Sequence, residues 1–125
     1  MSNNKIIILY LMMLVLHVAH VFEETWGRFW LIDRVYGLGW FLFANCVVFC
    51  IPVLLFYFVL QHKKWAYRWS IIYSGIMIIN GAGHNIATIV TGRYFGGFAG
   101  GITGIGFLLI GPPLIHYLRK DLKLR

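Results

Sequence analysis

The stretch IIILYLMMLVLHVAHVFEETW, residues 6–26, decides how the whole chain is read. It opens as a run of Ile, Leu, Met and Val with no charge, and a run of that kind suits lipid. Within its last ten residues it then places His17, His20, Glu23 and Glu24. Ionisable groups are costly inside a bilayer, and where they occur they face a bundle interior or a cavity. The stretch therefore predicts a membrane helix carrying a polar site toward one end.

The rest of the chain agrees. Of its 125 residues 60% are hydrophobic and only 12% charged, with a mean hydropathy of +0.76, whereas a soluble domain is about 25% charged. Four apolar segments stand out, at about residues 6–22, 38–60, 69–90 and 95–118. Each approaches the roughly 20 residues that cross about 30 Å of hydrocarbon as a helix. The first is the shortest and is expected to continue through the glutamates. Continuous apolar runs exclude a transmembrane barrel, whose strands alternate. Lys5 before an apolar core resembles the start of a signal peptide, but no small-x-small cleavage site follows, so the segment is read as retained. The expectation is an all-α polytopic membrane protein, a four-helix transmembrane bundle forming one domain over residues 1–125.

The net charge of +7 and pI of about 9.7 do not point to nucleic acid. The basic residues gather at segment ends rather than on a soluble basic face. Lys5, Lys63, Lys64, Arg68, Arg119, Lys120, Lys123 and Arg125 fall on one side, and Arg28, Arg34 and Arg93 on the other. That asymmetry places both termini in the cytoplasm. Trp26, Trp30, Trp40, Trp65 and Trp69 lie at segment ends or in loops, where interfacial belts form. The long loop, residues 25–37, is expected to lie on the outer interface. Cys46 and Cys50, one helical turn apart, have poor disulfide geometry and read as two small buried hydrophobes. His62 and His116 sit at cytoplasmic ends and read as interfacial.

Depth along each helix brings the polar residues together. At 1.5 Å per residue, His20 lies roughly 21 Å and His84 roughly 22 Å from the cytoplasmic side. Asn45 lies about 9 Å from the outer surface on the returning helix, the same layer. Asn80 is one turn deeper than His84, and Glu23 and Glu24 sit just above the layer. By angle, His17, His20 and Glu24 share a face with Glu23 beside them. Tyr73, Met77, Asn80, His84 and Thr88 form one stripe on the third helix, with Gly81 and Gly83 leaving room beside it. The sequence GGFAGGITGIG, residues 96–106, contains the small-xxx-small pairs Gly96/Gly100, Gly97/Gly101 and Gly100/Gly104. These suit tight packing in the bundle, a homodimer through the fourth helix, or a smooth wall for a flat ligand. Pro52, Pro112 and Pro113 are expected to kink their helices. Arg93 and Tyr94 cap the third helix on the outer side, where Arg93 could pair with Glu23 or Glu24.

HVFEE, residues 20–24, is an H-x-x-E-E motif, and NGAGH, residues 80–84, is an N-x-x-x-H motif. With YFGG, residues 94–97, in which Gly96 replaces a usual proline, they resemble the HXXEE-motif integral membrane protein family, bacterial four-helix membrane proteins. The resemblance spans nearly the whole chain. It implies a shared site at His20, Glu23, Glu24, Asn80 and His84 in the bacterial cytoplasmic membrane. It implies no reaction.

Several functions fit these residues. As metal ligands, His20 and His84 completed by Glu23 or Glu24 suit Zn, Fe or Mn; Glu24 is the first choice because it lies nearer in angle to His17 and His20, with Glu23 then the free base and Asn80 donating a hydrogen bond to ligand or substrate. Asn45, Arg93 and Tyr94 would then line the substrate, a lipid or another apolar small molecule from the outer leaflet. Without metal, the same groups allow acid–base chemistry. A small proton-coupled transporter would use them as a relay. A bis-histidine haem protein, or a non-catalytic polar network fixing helix register, would use fewer of them.

Overall fold

The computed structural model describes residues 2–124. Arg125, counted above among the basic residues, lies outside the described residues. Four long helices follow one another: α1, Ser2–Trp26; α2, Gly37–Leu60; α3, Lys64–Thr91; and α4, Gly101–Leu124. A short wide helical turn, Ile32–Tyr36, occupies the α1–α2 connection, and the segment Tyr94–Phe98, with non-helical backbone at Phe95 and Gly96, lies in the α3–α4 connection. The fold is all-α, and no strand occurs among the described residues. By length and composition α1, the segment Ile32–Leu60 and α4 can each cross a membrane. α3 is as long as they are. Its Asn80, His84, Asn85 and small polar residues lower its hydropathy, and that polar stripe is what α3 turns inward.

The buried face of each helix follows from its period. On α1, Ile6, Tyr10, Met13, His17, His20 and Glu24 are buried at alternating spacings of four and three, which keeps one stripe on one side of a helix. On α3 the buried stripe is Ala66, Tyr67, Ser70, Tyr73, Ser74, Met77, Gly81 and His84. On α4 it is Gly101, Gly104, Phe107, Gly111, Leu114, Leu118 and Asp121. α4 packs most extensively against α3, then against α1. Gly81 and Gly104 set that distance: a Cβ at Gly81 would stand 2.6 Å from the Gly104 carbonyl oxygen. Side chains on both residues would force the backbones apart. Gly83, also expected to leave room, faces outward with nothing beside it. Gly100, Gly101 and Gly104 are thus used inside the chain, against α3 and the histidines.

α2 is held more loosely. Only Phe41, Pro52, Leu55 and Val59 are buried on it. Tyr10 ties α1 to its neighbours: its hydroxyl is 3.0 Å from Ser70 Oγ on α3 and donates to the Pro52 carbonyl on α2 at 3.3 Å. Cys46 and Cys50, expected to be buried, are both free and exposed on the outer face of α2. Exposed Ile, Leu, Val and Phe side chains run along all four helices, as a lipid-facing surface requires.

The fourth helix was expected from residue 95, but it begins at Gly101. Phe95 is extended (ψ 131°) and Gly96 is left-handed (φ 68°), and Gly100 has φ 125°. The chain arrives unwound because it crosses over the ends of α1 and α3 before α4 can start. Gly96 N–H donates to the Gly27 carbonyl at 2.8 Å, which seats the crossing on the end of α1.

Candidate metal centre

Two helices supply the cluster and the start of a third orients it. His20 and Glu24 lie one turn apart on α1, and His84 faces them from α3. All three are buried, at 2%, 6% and 6% exposure. Glu24 Oε1 is 3.5 Å from His20 Nε2 and 3.2 Å from His84 Nε2. The two imidazoles meet edge to face with centroids 4.9 Å apart. One ligand atom from each of the three residues fits within a 4.8 Å group.

The far side of each ring is fixed. His84 Nδ1 lies 3.1 Å from the Phe98 carbonyl oxygen. A carbonyl only accepts, so Nδ1 carries a proton, and Nε2 is turned to Glu24, where it either donates a second proton to the carboxylate or binds a cation. His20 Nδ1 lies 2.8 Å from Thr103 Oγ1. The Thr103 hydroxyl donates to Glu23 Oε2, so its oxygen is left to accept from His20 Nδ1–H. Both Nε2 atoms therefore lie on the cluster side of their rings, 3.5 Å and 3.2 Å from the same carboxylate oxygen. Asn80 Nδ2 approaches His20 Nε2 at 2.9 Å and donates to it. Glu24 Oε1 and the two Nε2 atoms are buried together, an arrangement that a cation among them, a proton or a metal ion, satisfies. Ligands at about 2.0–2.1 Å from one tetrahedral ion stand about 3.3–3.4 Å apart, close to the two separations seen here. The outer partners, a carbonyl and a hydroxyl–carboxylate pair, are those that orient metal-bound histidines. His20, Glu24 and His84 therefore fit a metal ion.

Glu23, expected to be the free base, has a different position. It accepts from the backbone N–H groups of Ile102 at 2.8 Å and Thr103 at 2.7 Å, and from the hydroxyls of Thr103 and Tyr94. These N–H groups belong to the first turn of α4, which has no intrahelical acceptor for them. A carboxylate there also meets the positive end of the helix dipole. Tyr94 lies beyond the helices. Burial, and then the Glu23 carboxylate it donates to, push its phenol above its ordinary range.

Of the other expected residues, Asn80 touches the cluster directly, while Asn45 donates within its own helix to the Phe41 carbonyl at 2.9 Å. Asn45 still shares a cavity with His20, Glu24 and Asn80. Arg93 is exposed and makes no ion pair with either glutamate among the described residues. The left-handed Gly92 ends α3 just before it, and its stem packs on Gly97 instead. His17 lies one turn from His20, with Nδ1 3.0 Å from the Tyr73 hydroxyl.

Four contributors escaped sequence reasoning. Asn85 Nδ2 bonds the carbonyls of Gly81 at 2.8 Å and Gly101 at 2.9 Å, pinning the start of α4 to α3. Thr103 and the Phe98 carbonyl orient the rings. Phe29 roofs the site, its ring 4.9 Å from that of His84; the loop expected on the interface is partly a lid. Thr103 alone carried a signal, a hydroxyl residue at the start of an apolar helix. A backbone carbonyl leaves none.

The fold and the cluster define a class: an all-helical membrane protein with two buried histidines and one carboxylate fit to hold a metal. Comparison of the chain with protein families, curated proteins and solved structures finds no match.

Proposed function

We propose that this chain is a membrane-embedded enzyme whose divalent metal, Zn, Fe or Mn, is held by His20, Glu24 and His84, and whose apolar substrate reaches the site from the bilayer. The observation that carries the reading is the fixed orientation of the two imidazoles. Their Nδ1 atoms are committed to Phe98 and Thr103, so both Nε2 atoms face Glu24 Oε1. Two histidines and one carboxylate leave coordination positions open for water or substrate. A divalent ion supplies Lewis acidity to an oxygen bound there. The protein's part is to hold and shield. Glu23 and Thr103 lock His20, Phe29 keeps bulk water from His84, and Asn80 offers amide hydrogens to a substrate oxygen once His20 Nε2 is taken by the ion. The T-shaped contact of the rings leaves no room for a porphyrin between them.

The 3.2 Å approach of His84 Nε2 to Glu24 Oε1 favours one second reading. Without a metal the two groups share a proton and can pass it to and from a substrate.

The proposal includes four passes, both termini in the cytoplasm, and membership of the HXXEE-motif family in a bacterial cytoplasmic membrane. The motif residues His20, Glu24, Asn80 and His84 meeting in one cluster support it. Elemental analysis of detergent-purified protein tests the metal. About one Zn, Fe or Mn per chain is expected. Protein that holds none after incubation with each ion, at pH above the ordinary histidine value of about 6.5, leaves only the acid–base reading.

A further inference from the structure

A mostly apolar groove of about 490 Å³ opens beside the cluster. Its polar end is formed by His20, Glu24, Asn45 and Asn80. From there it runs down between α2 and α3 past Met77 and Tyr73 to Pro52 and Leu55. Its rim, Val48 and Ile51 on α2 with Ile72 and Ile76 on α3, is exposed. Those side chains belong to the surface that meets lipid, so the groove is open sideways to the bilayer. The loose seating of α2 leaves that opening in place.

The shape suits one kind of occupant. Along α2 from Phe41 to Leu55 the groove extends about 21 Å, and along α3 from Trp69 to Asn80 about 16 Å, at 1.5 Å per residue. A groove of that length, bounded by α2 on one side and α3 on the other, suits an extended hydrocarbon chain lying along it. The outer end is closed by the apolar cluster Phe29, Ile32 and Phe41. A phosphate-bearing head group keeps its charge and finds no Lys or Arg among the lining residues, whereas a protonated carboxyl, aldehyde, alcohol or simple ester finds the amides of Asn80 and Asn45. Binding sites of this kind are apolar, with a few placed polar groups that fix orientation.

We infer that the groove holds a single-chain lipid with a small oxygen-bearing head, its head at Asn80 and Glu24 and its tail running toward Leu55. The inference deepens the metal reading and rests on it for the chemistry, but not for binding. α2 then acts as a side wall against which chain length is measured, with Pro52 and Leu55 at the far end.

Three photoreactive lipids test it on the full-length protein in nanodiscs: a long-chain fatty acid with a diazirine at the tail tip, the same acid with the diazirine near the carboxyl, and a phosphatidylcholine carrying the tail-labelled chain. Cross-links are mapped by mass spectrometry and metal is measured on the same samples. Tail-tip adducts are expected on Pro52, Leu55, Trp69 and Ile72, and head-side adducts on Phe41, Asn45 and Asn80. Ile76→Trp, on the exposed rim, should cut groove adducts about tenfold while leaving metal content unchanged. Labelling of Leu54, Ile105 and Leu109 as strong as that of the groove overturns the inference. So does indifference to Ile76→Trp, or groove labelling by the phospholipid as strong as by the acid. Metal without groove adducts removes the inference and spares the metal reading. Groove adducts without metal do the reverse.

Discussion

His84 Nε2 on α3 stands 3.2 Å from Glu24 Oε1 on α1, a contact between two helices whose chain positions are sixty residues apart. Neither side chain has a hydrocarbon-compatible reason to be there alone. A buried carboxylate without a cationic partner costs several kcal/mol, and a buried imidazole lone pair needs a donor or a metal. Each group thus accounts for the other, and His20 completes the set.

The first prediction separates ligands from neighbours. His84→Ala and Glu24→Gln should each abolish stoichiometric metal, because each removes a direct ligand. Thr103→Val should weaken metal affinity by about 10–100-fold, since it only frees the His20 ring. Equal effects from all three, measured by competition with a chelating dye, would contradict the assigned roles.

Glu23 should matter for stability more than for metal. Glu23→Ala leaves the first-turn N–H groups of Ile102 and Thr103 without their acceptor and should cost about 1–3 kcal/mol. Thermal unfolding in detergent measures it. A variant as stable as wild type would show that α4 does not depend on this cap.

Gly100 is packed between the two rings. A Cβ there would lie 2.7 Å from His20 Cε1 and 2.8 Å from His84 Nδ1, at a φ of 125°. Gly100→Ala should displace both histidines, lose metal, and destabilise by about 1–3 kcal/mol through strain and overpacking. Gly81→Ala should destabilise by a similar amount through the α3–α4 contact. Retention of full metal by Gly100→Ala would mean that the crossing segment yields without moving the rings.

Alkaline pH should weaken the link between Tyr94 and Glu23. The phenol is held above its ordinary range in the folded chain. The stability this contributes is fully present below the unfolded value of about 10 and is lost as pH rises through the folded value. The stability gap between wild type and Tyr94→Phe should therefore narrow as pH rises above about 10. A constant gap from pH 8 upward would remove the coupling.

If the proposed topology holds, reporter fusions after Leu60 and at the C-terminus should both report cytoplasm, since four passes would put eight of the eleven basic residues on that side. A C-terminal reporter active outside overturns the topology.

The sequence alone determined the helices and most of the cluster. A helix has a fixed rise and a fixed turn, so spacing within one segment sets both depth and face. That is why His20, Glu24, Asn80 and His84 could be placed together, and Glu24 rather than Glu23 assigned to the histidines. Tertiary structure decided everything that depends on how one helix meets another. Glu23 and Glu24 are adjacent on α1, about 100° apart, and the unwound start of α4 gives them opposite tasks. One meets first-turn N–H groups, the other meets His84. The Phe98 carbonyl that fixes the His84 proton belongs to the backbone, which every residue shares, so no residue type announces it. Arg93 looked placed for an ion pair because it lies near the glutamates in depth, but Gly92 turns the chain and leaves it exposed. The groove beside the cluster exists only because α2 packs more loosely than α4, and that difference appears only once all four helices are assembled.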